Sequence, residues 1–351
     1  MDQSSDIDRS PTLAEKVAFL SAPGVYPGAA DPVRRHETHM SWLFFTDGAV
    51  YKLKKPVRFD YLDFSTLHRR ERACRAEYAL NQTLAPQIYK AVVPLVRTPT
   101  GLAIGGPGEV VDWLVVMRRL DESQTLESRL LGAGVTHPEL DMLAVTLARF
   151  YRRARRVHRS APEHLRDWRR AIDINSRVLL NPALGLPAGK VRAVLAVQRR
   201  FVRFRASLLA QRARDGHIVD AHGDLRPEHV WMSRPIKVID RLEFSAKLRA
   251  VDPLDEIAFL DLETERYGAP AVGARIRRRV APALCDRSAP ELYLFYRSSR
   301  AMMRARLAIA HLLDKHPRTP EKWPRQARVY LRIAAADARR LDVLLRRPPG
   351  R

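Results

Sequence analysis

The hydrophobic pattern of this chain changes period once, near Arg119, and that change limits the folds open to it. Before it, apolar residues alternate or run in short blocks bounded by turn residues. "MSWLFFTDGAVYKLKK" is two such blocks joined by Asp47-Gly48, a strong hairpin signal. "QIYKAVVPLVRT", "GLAIGG" and "VVDWLVVMRRL" read as further strands, with Gly105-Gly106-Pro107-Gly108 as a hairpin turn. Between the hairpin and these strands, "STLHRRERACRAEYALNQTLAP" opens on Ser65 as a candidate cap and stops before Pro86, as a helix should. After Arg119 the spacing is helical. Leu140, Leu143, Leu147 and Phe150 form one stripe; Val191, Val194, Leu195, Phe201, Leu208 and Leu209 form another. Segments 290–314 and 324–346 are again helix-like. The expected architecture is therefore α+β and bilobal. A small β-rich N-lobe with one helix occupies residues 1–118, and a larger, mainly helical C-lobe occupies 119–351. Within the helical lobe, "HIVDA", "VWM" and "IKVID" form a β-island near 217–244.

A chain of 351 residues has room for two lobes with real cores. No apolar run approaches the roughly 18 residues that span a bilayer. The polar, acidic start "MDQSSDIDRSPTLAEK" lacks the pattern of a signal peptide. Cys74 and Cys285 are far apart and give neither a disulfide framework nor a zinc pattern, so a reducing cytoplasm is the expected setting. The formal net charge of +23 raises the question of nucleic acid. Yet the arginines are spread among Ala, Leu and Val. The densest groups, 152–156 and 277–279, sit in helix-like segments and read as solvated helix faces. No RRM, KH or helix-turn-helix signature accompanies them, so nucleic acid is not the expected partner, nor is a membrane.

Against that basic background, residues 221–244 gather acids. Asp224 sits in a His-Gly-Asp turn after a strand-like run, and Asp240 ends the run 236–239. Two acids at neighbouring strand ends suit two jobs. One takes a proton from a hydroxyl; the other offers hard oxygen to a divalent cation.

"HGDLRPEH … VIDRLEF" resembles the catalytic and metal-binding segments of the aminoglycoside phosphotransferase-like family, which has the protein-kinase-like fold. "ETHMSWLFF", "YKLKKPVRFDYLDFSTL", "LNQTLAPQIYKAVVPL" and "LYLFYRSSRAMMRARL" resemble an uncharacterised branch of it, often fused to a C-terminal P-loop ATPase domain. The resemblance covers most of residues 12–312. The fused domain is expected to be lacking. The one candidate P-loop, beginning at Gly185, has one residue too few before Gly189 and no Ser or Thr after Lys190, and reads as a helix start.

The resemblance implies an ATP-dependent phosphotransferase acting on the hydroxyl of a small molecule. Asp224 becomes the catalytic base and Asp240 the ligand of Mg²⁺, with Mn²⁺ as the alternative. Lys52, or Lys54 on the same face, would bridge the ATP phosphates. Glu77 would pair with that lysine, with Glu71 in reserve. The turn before the second strand, "HETHMSW", has no glycine, so Ser41, Thr38 and backbone amides would cover the phosphates. "LVVMRRL" would be the hinge, with the backbone near Met117 to Arg119 meeting adenine. His222 would tether the turn. One of Asp252, Asp255 and Glu256, with Glu256 favoured, would brace it from below, and Glu243 either reaches a second metal position or lies on the surface. His229 departs from the family, which places Asn there. Imidazole is a poor ligand for Mg²⁺ but a good one for softer metals. Three readings stay open: one metal held through Asp240, Mn²⁺ with His229 as a ligand, or a catalytically weak or inactive nucleotide-binding regulatory protein. Arg297, Arg300, Arg304 and Arg306 would favour an anionic acceptor, or else only solvate a helix.

Overall fold

The structure is a computed structural model that describes residues 10–26, 33–59, 61–313 and 319–346. The first nine residues of the stretch read for a targeting signal lie outside these. The chain divides into two compact units. One contains the residues up to Glu122 together with Lys237–Ala246; the other contains Ser123–Ile236 and the residues from Lys247 onward. The run that carries Asp240 thus groups with the first unit.

In chain order the first unit holds α1 (Leu13–Leu20), β1 (Arg34–Glu37), β2 (Ser41–Phe45), β3 (Ala49–Lys54), β4 (Arg58–Phe59) and β5 (Leu62–Asp63). These are followed by α2 (Leu67–Asn81), β6 (Tyr89–Thr98), β7 (Gly101–Ile104) and β8 (Glu109–Arg118). Six strands form an antiparallel sheet in the order β1-β2-β3-β8-β6-β7. The β2–β3 hairpin turns at Asp47-Gly48, where the Thr46 amide donates to the Ala49 carbonyl over 2.9 Å. Its register sets Lys52 opposite Leu43 on one side and Val115 on the other.

Alternation along β3 then sorts side chains between two faces. Leu53 joins Val17, Leu20, Phe44, Leu95 and Leu114 in the core beneath α1. Val50 points the other way, into a core with Cys74 of α2, Ile88, Tyr89, Val115 and Met117. Lys52 and Lys54 share the Val50 side, so the lysines face α2. A glycine is required at one turn. At Gly108 φ is +149°, and a Cβ would stand 2.5 Å from the Arg97 carbonyl oxygen.

Two local expectations shift. The cap of α2 is Thr66, whose hydroxyl accepts from the Arg69 amide, whereas Ser65 turns back to Asp63 over 2.6 Å. Helix α1 was not expected from hydrophobic spacing. It is closed by a capping box in which Thr12 and Glu15 satisfy each other's amides.

The second unit holds α3 (Leu126–Leu131), α4 (His137–Arg153), α5 (Ala161–Leu179), α6 (Ala188–Phe204), α7 (Ala206–Arg214) and α8 (Ala246–Arg249). It continues with α9 (Pro253–Arg266), α10 (Pro270–Ala283), α11 (Pro290–Ala310) and α12 (Lys322–Leu345). The stripe of α4 is buried as its spacing predicts. The second stripe is not one helix. The backbone leaves the helical region at Arg205, where φ is −118°, separating α6 from α7 and leaving Leu208 only half-buried. A short antiparallel pair, Val219–Asp220 with Ala250–Val251, leads into the loop of Asp224. Among the described residues no helix is long and apolar enough to cross a membrane.

One carboxylate on β8 ties both helices of the first unit to the sheet. Asp112, 1% exposed, accepts from Lys16 of α1 and from Arg70 of α2, each over 2.8 Å. Its loss would leave two buried cations uncompensated. Asp112→Ala is expected to lower the unfolding free energy by about 3–5 kcal/mol in urea titration. A cost below about 1 kcal/mol, the worth of a surface pair, would contradict this role.

Candidate active site

In the first unit, β3 and α2 bring two lysines onto one carboxylate. Lys52 Nζ donates to Glu77 Oε1 over 2.8 Å and to Asp240 Oδ1 over 3.0 Å. Lys54 Nζ donates to Glu77 Oε2 over 2.6 Å and also to Glu243. The two lysines therefore share Glu77, which is wholly buried. They differ in access. The Lys52 side chain is 14% exposed and that of Lys54 only 1%, so Lys52 is the one able to meet a ligand. Glu71, the reserve, is spent on Arg75 one turn along α2.

The electrostatics follow from burial and pairing. Burial alone would lower the Lys52 pKa, but Asp240, Glu77 and Glu243 outweigh it and hold the ammonium well above its ordinary value. Burial would likewise raise Glu77, yet Lys52 and Lys54 hold it below the ordinary range. For Glu243 burial wins and its pKa is raised, in spite of Lys54. Its side chain is 7% exposed and bonded inward, so it is neither a surface residue nor an outward-facing metal ligand.

Asp240 has φ of +63°, the left-handed region that side chains other than those of Gly, Asn and Asp rarely occupy. Neighbouring backbone is pinned on both sides. The Val238 amide donates to Leu84 O over 3.3 Å, the Asp240 amide to the Tyr89 hydroxyl over 3.1 Å, and the Arg241 amide to Asn81 Oδ1 over 3.0 Å. Asn81 is itself fixed by donating to the Glu77 carbonyl. Sequence reasoning missed Tyr89 and Asn81, although Asn81 stands one helical turn from Glu77. The Asp240 side chain is 40% exposed, the most accessible acid of the cluster.

The turn expected to cover the phosphates is occupied within itself. Ser41 is buried at 2% exposure. The amides of Met40 and Ser41 both donate to Thr38 Oγ1, over 3.3 and 2.9 Å, so the turn consumes its own donors. Met117 lies within the ladder opposite Val50 and Tyr89, and its side chain is core. Next to it, the Arg118 and Arg119 amides donate to Ile88 O and Gly48 O.

In the second unit, Gly223 takes φ of +91°, which carries the chain into Asp224. The Asp224 amide donates to His222 Nδ1 over 3.3 Å, so His222 tethers the turn as expected. Glu256 braces it: one oxygen accepts from the His222 amide at 3.1 Å and the Tyr151 hydroxyl at 2.8 Å, the other from the Gly223 amide at 2.6 Å. Asp252 instead caps α9 and takes Arg212, and Asp255 takes Arg300. The Asp224 carboxylate accepts from Arg226 Nε over 3.0 Å and is 26% exposed. Burial would raise its pKa, but Arg226, His229, Arg304 and His222 outweigh burial and hold it below the ordinary range. Arg226 was not anticipated; it also pairs with Glu228 over 2.7 Å.

His229 is committed at both ring nitrogens. Nδ1 lies 2.9 Å from the Asp224 carbonyl oxygen and Nε2 lies 3.3 Å from Arg226 Nη2. A guanidinium can only donate, so Nε2 accepts and Nδ1 carries the proton. A cation on Nε2 would have to displace Arg226. The expectation of His229 as a metal ligand is therefore replaced by that of a loop tether. Of the four arginines on α11, Arg297, Arg300 and Arg304 are committed to Asp337, Asp255 and Glu263, and Arg306 donates to Asn175.

The residues of the first unit fit a magnesium nucleotide. Asp240 offers exposed hard oxygen beside a fixed ammonium. Among the described residues no group of three or more His, Cys, Asp or Glu side chains could hold a cation unaided.

No protein-family model matches the chain. An uncharacterized protein of Mycobacterium tuberculosis (strain H37Rv) is 33% identical over 289 residues, 80% of this chain and 55% of that protein. A Mycobacterium bovis protein, also uncharacterized, matches to the same extent. The chain thus spans about half, 55%, of the length of the curated relatives it matches. Among solved structures, a choline kinase from Cryptosporidium parvum aligns with a TM-score of 0.55 at 12% identity, covering 94% of this chain and 98% of that one. A choline/ethanolamine kinase family protein from Mesorhizobium loti gives 0.52 at 16%, covering 95% of each chain. An aminoglycoside phosphotransferase in ternary complex with AMP-PNP and hygromycin B gives 0.53 at 14%, covering 93% of this chain and 99% of that one. The chain has the bilobal, protein-kinase-like α+β fold that these kinases share.

The roles of Asp240 and His229 can be separated by Mn²⁺ titration in the presence of AMP-PNP, read by the electron paramagnetic resonance of free Mn²⁺. Asp240→Ala is expected to weaken Mn²⁺ binding at least about tenfold and His229→Ala less than about twofold. Equal losses would restore His229 as a ligand.

Proposed function

We propose that this protein is an ATP-dependent phosphotransferase that acts on the hydroxyl of a small molecule. The observation that carries the reading is the Lys52 ammonium set between Glu77 and Asp240 at 2.8 and 3.0 Å. Glu77 is buried and fixes the amine. Asp240 is the accessible partner, so donor phosphates can approach the same ammonium without disturbing Glu77. This is the Lys–Glu arrangement that phosphoryl transfer uses to orient a nucleotide. The solved structures of the same fold support the donor class, since one of them holds AMP-PNP.

Asp224 supplies the second half of the chemistry. Its carboxylate is kept ionised by Arg226 and its neighbours, and its loop is fixed by Glu256. In the reaction, the acceptor oxygen forms a bond to the γ-phosphorus as the bond to the β–γ bridging oxygen breaks. ADP leaves and the hydroxyl proton passes to Asp224. Such transfer needs little beyond alignment and charge neutralisation. A divalent cation on Asp240 would neutralise charge on the terminal phosphates. The tethered His229 favours a single cation held through Asp240 over the Mn²⁺ reading, and it gives the loop a structural reason to lack the family's Asn.

The test is ATP consumption with a pool of hydroxylated metabolites. Asp224→Ala is expected to lower turnover by about 10²–10⁴-fold while leaving AMP-PNP affinity unchanged by calorimetry. Failure of the wild type to bind AMP-PNP with either Mg²⁺ or Mn²⁺ would overturn the reading.

A pH dependence also follows. The active form of Asp224 is ionised, and its pKa is depressed, so protonation sets in only below the ordinary aspartate value of about 4. Turnover should stay flat on the acid side down to about pH 5. An acid limb near neutrality that moves in Arg226→Gln would contradict the assignment.

A further inference from the structure

The second unit contains a cavity of about 340 Å³ that plays no part in the chemistry above. It opens among α5, α11 and the segment that runs from α8 into α9. Its volume falls at the lower end of the roughly 300–1,000 Å³ usual for small-molecule sites. Trp168, Ile172 and Met303 give it an apolar wall. Trp168 is held rigidly. Its Nε1 donates to His164 Nε2 over 3.1 Å, and its ring stacks on Tyr296 with centroids 5.5 Å apart.

Two features point to a ligand rather than to loose packing. The first is Ser299. It lines the cavity, is 8% exposed, and its buried hydroxyl has no hydrogen-bond partner among the described residues. A buried hydroxyl left unmet is costly, and a ligand atom in the cavity would meet it. The second is charge. Five cations, Arg159, Arg170, Lys247, Arg300 and Arg306, line the cavity against three carboxylates, of which Asp167 is shared by Arg159 and Lys247 and Asp255 is taken by Arg300. Asp252 is further neutralised from outside by Arg212, at 2.6 Å. Arg306 is oriented by donating to Asn175, itself buried and part of the wall, over 2.9 Å.

We propose that this cavity binds a small organic anion, with an apolar, ring-sized body against Trp168 and Met303 and its anionic group met by Ser299 and Arg306. This chemistry is opposite in charge to choline, and no part of it depends on phosphoryl transfer. The cavity is also joined to the loop of Asp224. Asp255 lines it, and the next residue, Glu256, holds the His222 and Gly223 amides.

The experiment is calorimetry on the full chain without nucleotide, with 3-phenylpropionate as probe and 3-phenylpropanamide as its neutral counterpart. One-to-one, saturable binding of the acid is expected, with the amide weaker by about tenfold. Arg306→Gln and Ser299→Val should each weaken the acid by about five- to tenfold. Thermal unfolding checks that each variant is folded, and either one alone suffices. Quenching of tryptophan fluorescence by the acid should vanish in Trp168→Phe. No saturable heat with the acid, equal binding of acid and amide, or undiminished binding by the folded variants would each overturn the proposal. None of these results depends on whether the chain transfers phosphate.

Discussion

The first unit is organised around one carboxylate that has no access to water. Glu77 can remain ionised there only because two ammonium groups reach it, one on each oxygen. Bringing them there demands several things at once. The register of β3 must place Lys52 and Lys54 on the face toward α2, and α2 must dock with Glu77 inward. Two lysines and one glutamate would still leave excess positive charge in a buried place. Asp240 and Glu243, three residues apart, each take one of the two lysines, which stand two residues apart on a strand. The segment Lys237–Ala246 is therefore bound to the first unit by charge as well as by the amides of Val238, Asp240 and Arg241. The left-handed backbone at Asp240 costs energy, and it persists because those contacts over-determine it.

The loop of Asp224 solves a similar problem with other means. Among the described residues no cation is bonded to its brace, the buried Glu256. Burial accordingly raises its pKa, and it is compensated by two backbone amides and a tyrosine hydroxyl. These bonds fix the backbone of the turn, not the base itself. The base is set by Arg226, and Arg226 is in turn placed by His229 and Glu228. An asparagine at 229 could accept from the same guanidinium but would not span to the Asp224 carbonyl with the same rigid ring. The histidine thus stiffens the short 3₁₀ turn that follows the base.

Much of this was legible in the sequence, and the misses have physical reasons. Asp47-Gly48 and the α4 stripe report local geometry, which neighbouring residues determine. The spacing of Asp224 and Asp240 and the Lys52–Glu77 pairing came from a family pattern. Period-two alternation put Lys52 and Lys54 on one face but could not rank them, because their difference is depth of burial. Ser41 was misjudged because a hydroxyl at a turn looks available until Thr38 takes the turn amides. The side-chain chemistry of Glu243 allows either a second metal position or a surface role, and that of His229 allows a ligand for Mn²⁺; their partners, Lys54 and Arg226, decide otherwise. The capping box of α1 was plain in "TLAE" and was masked by the polar stretch before it.

The strong positive charge also acquires a meaning that composition could not give. On α11, Arg300 and Arg304 stand one turn apart and bridge to Asp255 and Glu263 on α9. These are struts between two helices, with Tyr330 of α12 bonded to the same Glu263. Both members of each pair are largely withdrawn from water, so their charges are screened less than those of a surface pair. Arg304 is among the groups that depress the pKa of Asp224. A guanidinium cannot lose its proton, which makes it a dependable source of that field at any working pH. The arginines that resemble a nucleic-acid surface when counted are, at these positions, part of the packing of α9 on α11 and part of what keeps the half-buried Asp224 ionised.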